Sequence, residues 1–89
     1  MKLRLFTLPN CPRCPAAKEV AETVAKQRKD ITLEVLDISD SNHMVTALMM
    51  HIASTPSFAI DDTPIVVDDV PSVEELNAKI DEYKRKLKP

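Results

Sequence analysis

Cys11-Pro12-Arg13-Cys14 holds both cysteines of the chain. That spacing sets two sulfurs about one helical turn apart, close enough to close a disulfide when the first cysteine stands at the start of a helix. The same spacing makes half of a zinc site, so metal binding and thiol–disulfide exchange are both first readings. A mononuclear zinc site needs two further ligands, and apart from carboxylates the chain offers only His43 and His51. These fall on one predicted helix about 12 Å apart along its axis, too far for both to join a single tetrahedral ion. Each histidine reads instead as a surface or partly buried helix residue. Met44, Met49 and Met50 read as core filling rather than a soft-metal site, and Asp61, Asp62, Asp68 and Asp69 as turn residues in a chain without glycine.

The exchange reading assigns the two thiols different tasks. Cys11 at a helix start would meet free amide groups and the positive end of the helix dipole, and Arg13 would add a nearby cation, so Cys11 is expected to ionise more readily than a free thiol. Pro12 suits the first helical position, where its fixed φ helps and its missing N–H has no partner to lose. Pro15 restricts Cys14 and removes a further amide, which predicts an irregular helix start with Cys14 less exposed than Cys11. Cys11 would then attack a substrate disulfide and Cys14 would resolve the mixed disulfide. By stabilising the thiolate, Arg13 would make the pair more oxidising than a neutral residue would.

The surrounding elements must present that pair. Lys2 to Leu8 is rich in apolar residues and ends at Pro9-Asn10, which predicts a buried strand closed by a loop. From about Pro12 to Lys29, Ala17, Val20, Ala21, Val24 and Ala25 recur at helical spacing. Ile31 to Ile38 alternates as a second strand. Ser39-Asp40-Ser41-Asn42 offers N-cap residues to a second helix that runs to about Ala53, with Met44, Leu48 and Ile52 as its apolar face and Val45 and Met49 beside them. Ser57 to Ile60 and Pro64 to Val67 form a hairpin about an acidic turn. Ser72 and Glu75 make a capping box for a last helix, whose apolar stripe is Val73, Leu76, Ile80, Tyr83 and Leu87. The order is βαβαββα. Helices on both faces of a mixed sheet would bury its central strand.

Composition excludes several classes. The 89 residues suffice for one core, so residues 1–89 are expected to form a single domain. Twelve Lys and Arg against fourteen Asp and Glu leave a net charge of -2, which gives no footprint for nucleic acid or anionic membrane. No apolar run approaches the roughly 18 residues of a membrane span, and the opening Met1-Lys2-Leu3-Arg4 does not lead into a signal-peptide core. The expected location is cytoplasmic, where a close cysteine pair serves catalysis, redox sensing or metal binding rather than structure. The absence of glycine removes every Gly-rich phosphate loop.

A strand, then CPRCP opening a helix, then strand, helix, Thr55-Pro56, hairpin and final helix resembles the thioredoxin superfamily over essentially the whole chain, and especially its small archaeal and bacterial glutaredoxin-like or thioredoxin-like proteins. The resemblance implies an α/β thioredoxin-like fold, a four-stranded mixed sheet flanked by three helices. It implies a cis peptide bond at Thr55-Pro56, with the Thr55 backbone offering strand-like hydrogen bonds to substrate and Pro56 keeping metal off the pair. Lys18 falls near a lysine common after glutaredoxin motifs and is a possible accessory to the thiolate. Glutathione users of the family carry an aromatic residue inside the motif and a Gly-Gly pair before the last helix. Here Arg13 and Val67-Asp68-Asp69-Val70-Pro71 stand instead, and acidic residues there would repel glutathione's carboxylates. Asn10 replaces the tryptophan that precedes the pair in typical thioredoxins.

The resulting expectation is a monomeric thiol–disulfide oxidoreductase acting on protein disulfides, without cofactor or metal, and recharged by a reductase or thiol donor. The rival is a non-catalytic module that holds a soft metal or an iron-sulfur cluster through Cys11, shared between two chains.

Overall fold

Alternation of apolar residues builds the centre of the molecule. A computed structural model describes residues 1–87, in the order β1 (Lys2–Thr7), α1 (Cys14–Gln27), β2 (Thr32–Asp37), α2 (Ser41–Met49), β3 (Ser57–Ile60), β4 (Thr63–Val66) and α3 (Val73–Leu87). The sheet order is β2-β1-β3-β4. β1 runs parallel to β2 with Leu5 opposite Val35, and antiparallel to β3 with Phe6 opposite Ser57.

The period-two pleat sends alternate residues to two cores. Leu3 and Leu5 of β1 and Phe58 and Ile60 of β3 pack with Ala17, Ala21 and Val24 of α1 and with Leu76 and Ile80 of α3. Phe6, Leu36 and Ala59 point the other way, onto Ala47, Met50 and Ile52. β1 and β3 are central and covered on both sides, which is why they read as apolar runs. The capping box is present: the Ser72 amide donates to Glu75 Oε1 and the Glu75 amide to Ser72 Oγ, each at 3.1 Å. Leu87 closes the expected apolar stripe in the sequence, but its side chain lies outside the described residues, as do residues 88 and 89. Among the described residues, no helix is long and apolar enough to cross a membrane.

The second helix departs from expectation. Met44, Val45, Leu48 and Met49 are exposed, Met49 by 79%, and Ala47 is the buried residue of α2. The cause is where the helix stops. Asp40 caps its start by accepting from the Asn42 amide at 2.9 Å, and after nine residues the chain turns at His51, which has φ 60°. There the Ile52 amide donates to Ala47 O and the His51 amide to Leu48 O, the paired bonds of a Schellman ending. This ending folds Met50 and Ile52 back onto the sheet beside Ala47, so the core face is Ala47-Met50-Ile52. His51 is consequently beyond the helix, not on it with His43. Among the described residues, no three His, Cys, Asp or Glu side chains converge as a metal site.

Candidate functional site

Two consecutive turns carry the chain from β1 to α1. The Cys11 amide donates to Leu8 O at 3.2 Å and the Cys14 amide to Cys11 O at 3.4 Å. Pro9 and Pro12 each take the second position of their turn, where a φ fixed near −65° is favoured. Arg13, at φ −93° and ψ −13°, has the geometry of the third residue of a type I turn. The helix begins only at Cys14, with Pro15 in its first turn. The expected positions of the prolines are therefore shifted: Pro12 shapes the turn, and Pro15 takes the helix start, where a missing N–H costs nothing. Cys11 stands ahead of α1 at the junction of the two turns rather than at the helix start.

The two sulfurs are joined as a disulfide, with Cα atoms 5.4 Å apart. Cys14 is buried and Cys11 only half-buried. Their difference in access follows from the fold, because Cys14 lies on the α1 face that also buries Ala17 and Ala21. Both cysteines border a groove of about 330 Å³ lined by Leu8, Pro9, Pro15, Lys18 and Val35. Lys18 thus shares a groove with the pair, and Leu8 and Val35 give it a partly exposed apolar rim.

The Thr55-Pro56 peptide bond is cis. Phe6 faces Ser57 across the sheet, so this bond lies at the end of the sheet where β1 releases the cysteine loop. Pro56 is buried and Thr55 half-buried. The loop is tied to the segment after β4: Ser57 Oγ donates to Ser54 O at 2.8 Å and accepts from the Asp68 amide at 3.1 Å, while the Asp69 amide donates to Pro56 O at 3.2 Å.

Arg13 does not stand as a free cation. Its Nη2 pairs with the Asp68 carboxylate and its Nη1 donates to Asp68 O at 3.4 Å. Two features that separately distinguish this sequence, the arginine between the cysteines and the acidic pair before α3, are thereby in contact. Neither Asp68 as the partner of Arg13 nor Ser57 as the hydroxyl beneath it was visible as a site residue in the sequence. The available signal was the coexistence of an unusual cation and an unusual acid in two loops, which becomes a contact only once β3 places them together.

The comparisons with known proteins agree with this architecture. The thioredoxin-domain family model matches residues 1–81. A protein of Archaeoglobus fulgidus described as a probable thioredoxin is 34% identical over 86 residues, covering 97% of this chain and 88% of its own length. A thioredoxin of Methanocaldococcus jannaschii is 39% identical over 61 residues, 68% of this chain and 71% of that protein. Thioredoxin 1 of Thermosipho africanus superposes with a TM-score of 0.70 at 26% identity, covering 97% of each chain. Reduced Escherichia coli glutaredoxin shares the fold, with a TM-score of 0.63 at 20% identity over 96% of this chain and 99% of that one.

Proposed function

Because the chain belongs to the thioredoxin-domain family and carries a cysteine pair suited to a thiol–disulfide redox role, we propose that it reduces protein disulfides in the cytoplasm as a monomeric single domain over residues 1–89. Cys11 is the nucleophile and Cys14 the resolving thiol. The observation that carries this reading is the unequal access of the two sulfurs: a half-buried Cys11 bonded to a buried Cys14 at the end of β1.

The chemistry follows from that inequality. Reduced Cys11, as its thiolate, attacks one sulfur of a substrate disulfide; a bond forms to Cys11 Sγ and the other substrate sulfur leaves as a thiolate that takes up a proton. Cys14 loses its proton and attacks Cys11 Sγ. The intrachain disulfide closes and the second substrate thiol is released, so two electrons have passed to the substrate. Burial keeps Cys14 from external disulfides and reserves it for Cys11. The Thr55 backbone, beside the cis bond, is the strand-like platform for the substrate segment. Lys18, in the groove shared with both sulfurs, favours their ionised forms. An external reductase or thiol donor returns two electrons to the pair.

The test is insulin-disulfide reduction by the wild type, Cys11→Ser and Cys14→Ser, with metal analysis of the same preparations. Turnover by the wild type, none by Cys11→Ser and a trapped mixed disulfide with Cys14→Ser are the expected results. A wild-type protein that carries metal or a cluster and reduces nothing overturns the proposal in favour of a thiol module that binds through Cys11.

A further inference from the structure

Asp68 is held in its position by backbone contacts that do not involve Arg13. Its backbone sits at φ 55°, a region open mainly to glycine, asparagine and aspartate, in a chain that has no glycine. Its amide is bonded to Ser57 Oγ, and that hydroxyl is fully buried and bonded in turn to Ser54 O. The next amide, of Asp69, is bonded to Pro56 O. Exposed ion pairs usually contribute little because two mobile side chains must be ordered together. Here the aspartate is short and its backbone is already fixed, so Arg13 bears most of the ordering.

A paired cation acts differently from a free one. Arg13 stands two residues from Cys11, and a bare guanidinium there would favour the thiolate. Beside Asp68 the charge is balanced, and the field of the pair falls off faster than that of the cation alone.

We propose that Asp68 is a positioning residue that acts on Cys11 through Arg13: it holds and balances the guanidinium, so that less of Cys11 is thiolate and the couple is more reducing than with Arg13 free. This rests on the dithiol reading above, because it gives Cys11 the nucleophile's role. Stabilising the thiolate form makes a couple more oxidising, so the two effects have one direction.

Asp68→Asn is the discriminating variant, since asparagine keeps the left-handed backbone and loses the charge. In a Cys14→Ser background, where Cys11 is the sole thiol, the pH midpoint of its thiolate ultraviolet absorbance is measured for Arg13 and Arg13→Ala, each with and without Asp68→Asn. The expected result with Arg13 present is a fall of about half a pH unit, about threefold more thiolate below the midpoint. With Arg13→Ala, Asp68→Asn should change nothing, and with both cysteines present Asp68→Asn should make the couple more oxidising. An unmoved midpoint overturns the proposal. So does an equal shift in the Arg13→Ala background, which would make Asp68 act by its own charge. The thiolate midpoint does not depend on turnover, so a protein with the shift but no insulin reduction refutes the dithiol reading alone, and the reverse result refutes only the role of Asp68.

Discussion

The two ends of the sheet are both bridged by charged side chains, in different ways. Where β1 and β2 begin, Asp30 accepts from Arg28 and from Lys84 of α3 at 2.7 Å, and Arg28 also reaches Asp81 at 2.9 Å and Asn77 at 3.2 Å. Asn77 continues to Gln27 at 3.3 Å. At the cysteine end, among the described residues, one ion pair, Arg13 with Asp68, joins the two loops. The first arrangement fastens α3 to the end of α1 through several partners, so losing one leaves others. The second rests on one pair, whose arginine stands between the two cysteines in the sequence. The proposal for Asp68 therefore sets a network that acts on stability against a single pair that acts on Cys11.

The largest expected contrast comes from the cysteine end itself. Cys11→Ser should reduce insulin turnover to the rate of the reductant alone, while Arg28→Ala at the far end should leave turnover per folded molecule unchanged and lower the thermal midpoint. Equal losses of turnover in both variants would dissolve the distinction between the ends.

Next in size is the hydroxyl beneath Asp68. Ser57→Ala removes the partner of the Asp68 amide and of Ser54 O in a fully buried site, which should cost about 1–3 kcal/mol in denaturant unfolding. It should also move the Cys11 thiolate midpoint in the same direction as Asp68→Asn, because the carboxylate loses its mount. A stability loss with an unmoved midpoint would show that Arg13 holds Asp68 unaided.

A smaller effect tests the far end through pH. Hydrogen bonds from Arg28, and after it from Lys84, hold the Asp30 carboxyl well below the usual carboxylate range. The unfolded chain titrates this group near pH 4, so at lower pH it binds a proton that the folded state refuses. The contribution of Asp30 is therefore fully present above about pH 5 and is lost as pH falls toward the folded-state value. Thermal midpoints of the wild type and Asp30→Asn should differ at neutral pH and approach each other in acid, with the Cys11 midpoint alike in both. A gap that stays constant into acid would mean that Asp30 stabilises by shape rather than by charge.

Legibility divides along the same physical line. Local chemistry could be read from sequence: the capping box of Ser72 and Glu75, the order of elements, and two cysteines at the end of a buried strand. The cis bond at Thr55-Pro56 came through resemblance to a family. Competition among neighbours could not be read. Pro12 suits a helix start by its own chemistry, but it lies in the turn from Cys11 to Cys14, and the first turn of the helix falls to Pro15. Met44, Leu48 and Ile52 share one face only along an unbroken helix, and the turn at His51 ends it. The Arg13–Asp68 contact spans 55 positions and exists only because β3 and β4 return the chain to the cysteine loop.

The smallest effect separates backbone from charge. His51, like Asp68, occupies the left-handed region without being glycine, but it ends α2 and is exposed. His51→Gly relieves the Cβ crowding while keeping the Ile52-to-Ala47 and His51-to-Leu48 bonds, all of which are backbone. The gain should be about 0.5–1 kcal/mol in denaturant unfolding, with the thiolate midpoint unmoved. Asp68→Gly relieves the same crowding and deletes a carboxylate, so its backbone gain should come with the lowered Cys11 midpoint of Asp68→Asn. If His51→Gly destabilises, the imidazole contributes contacts that its exposure does not suggest. If Asp68→Gly leaves the midpoint where it was, aspartate stands at position 68 for the turn alone, and the two ends of the sheet differ in number of partners but not in kind.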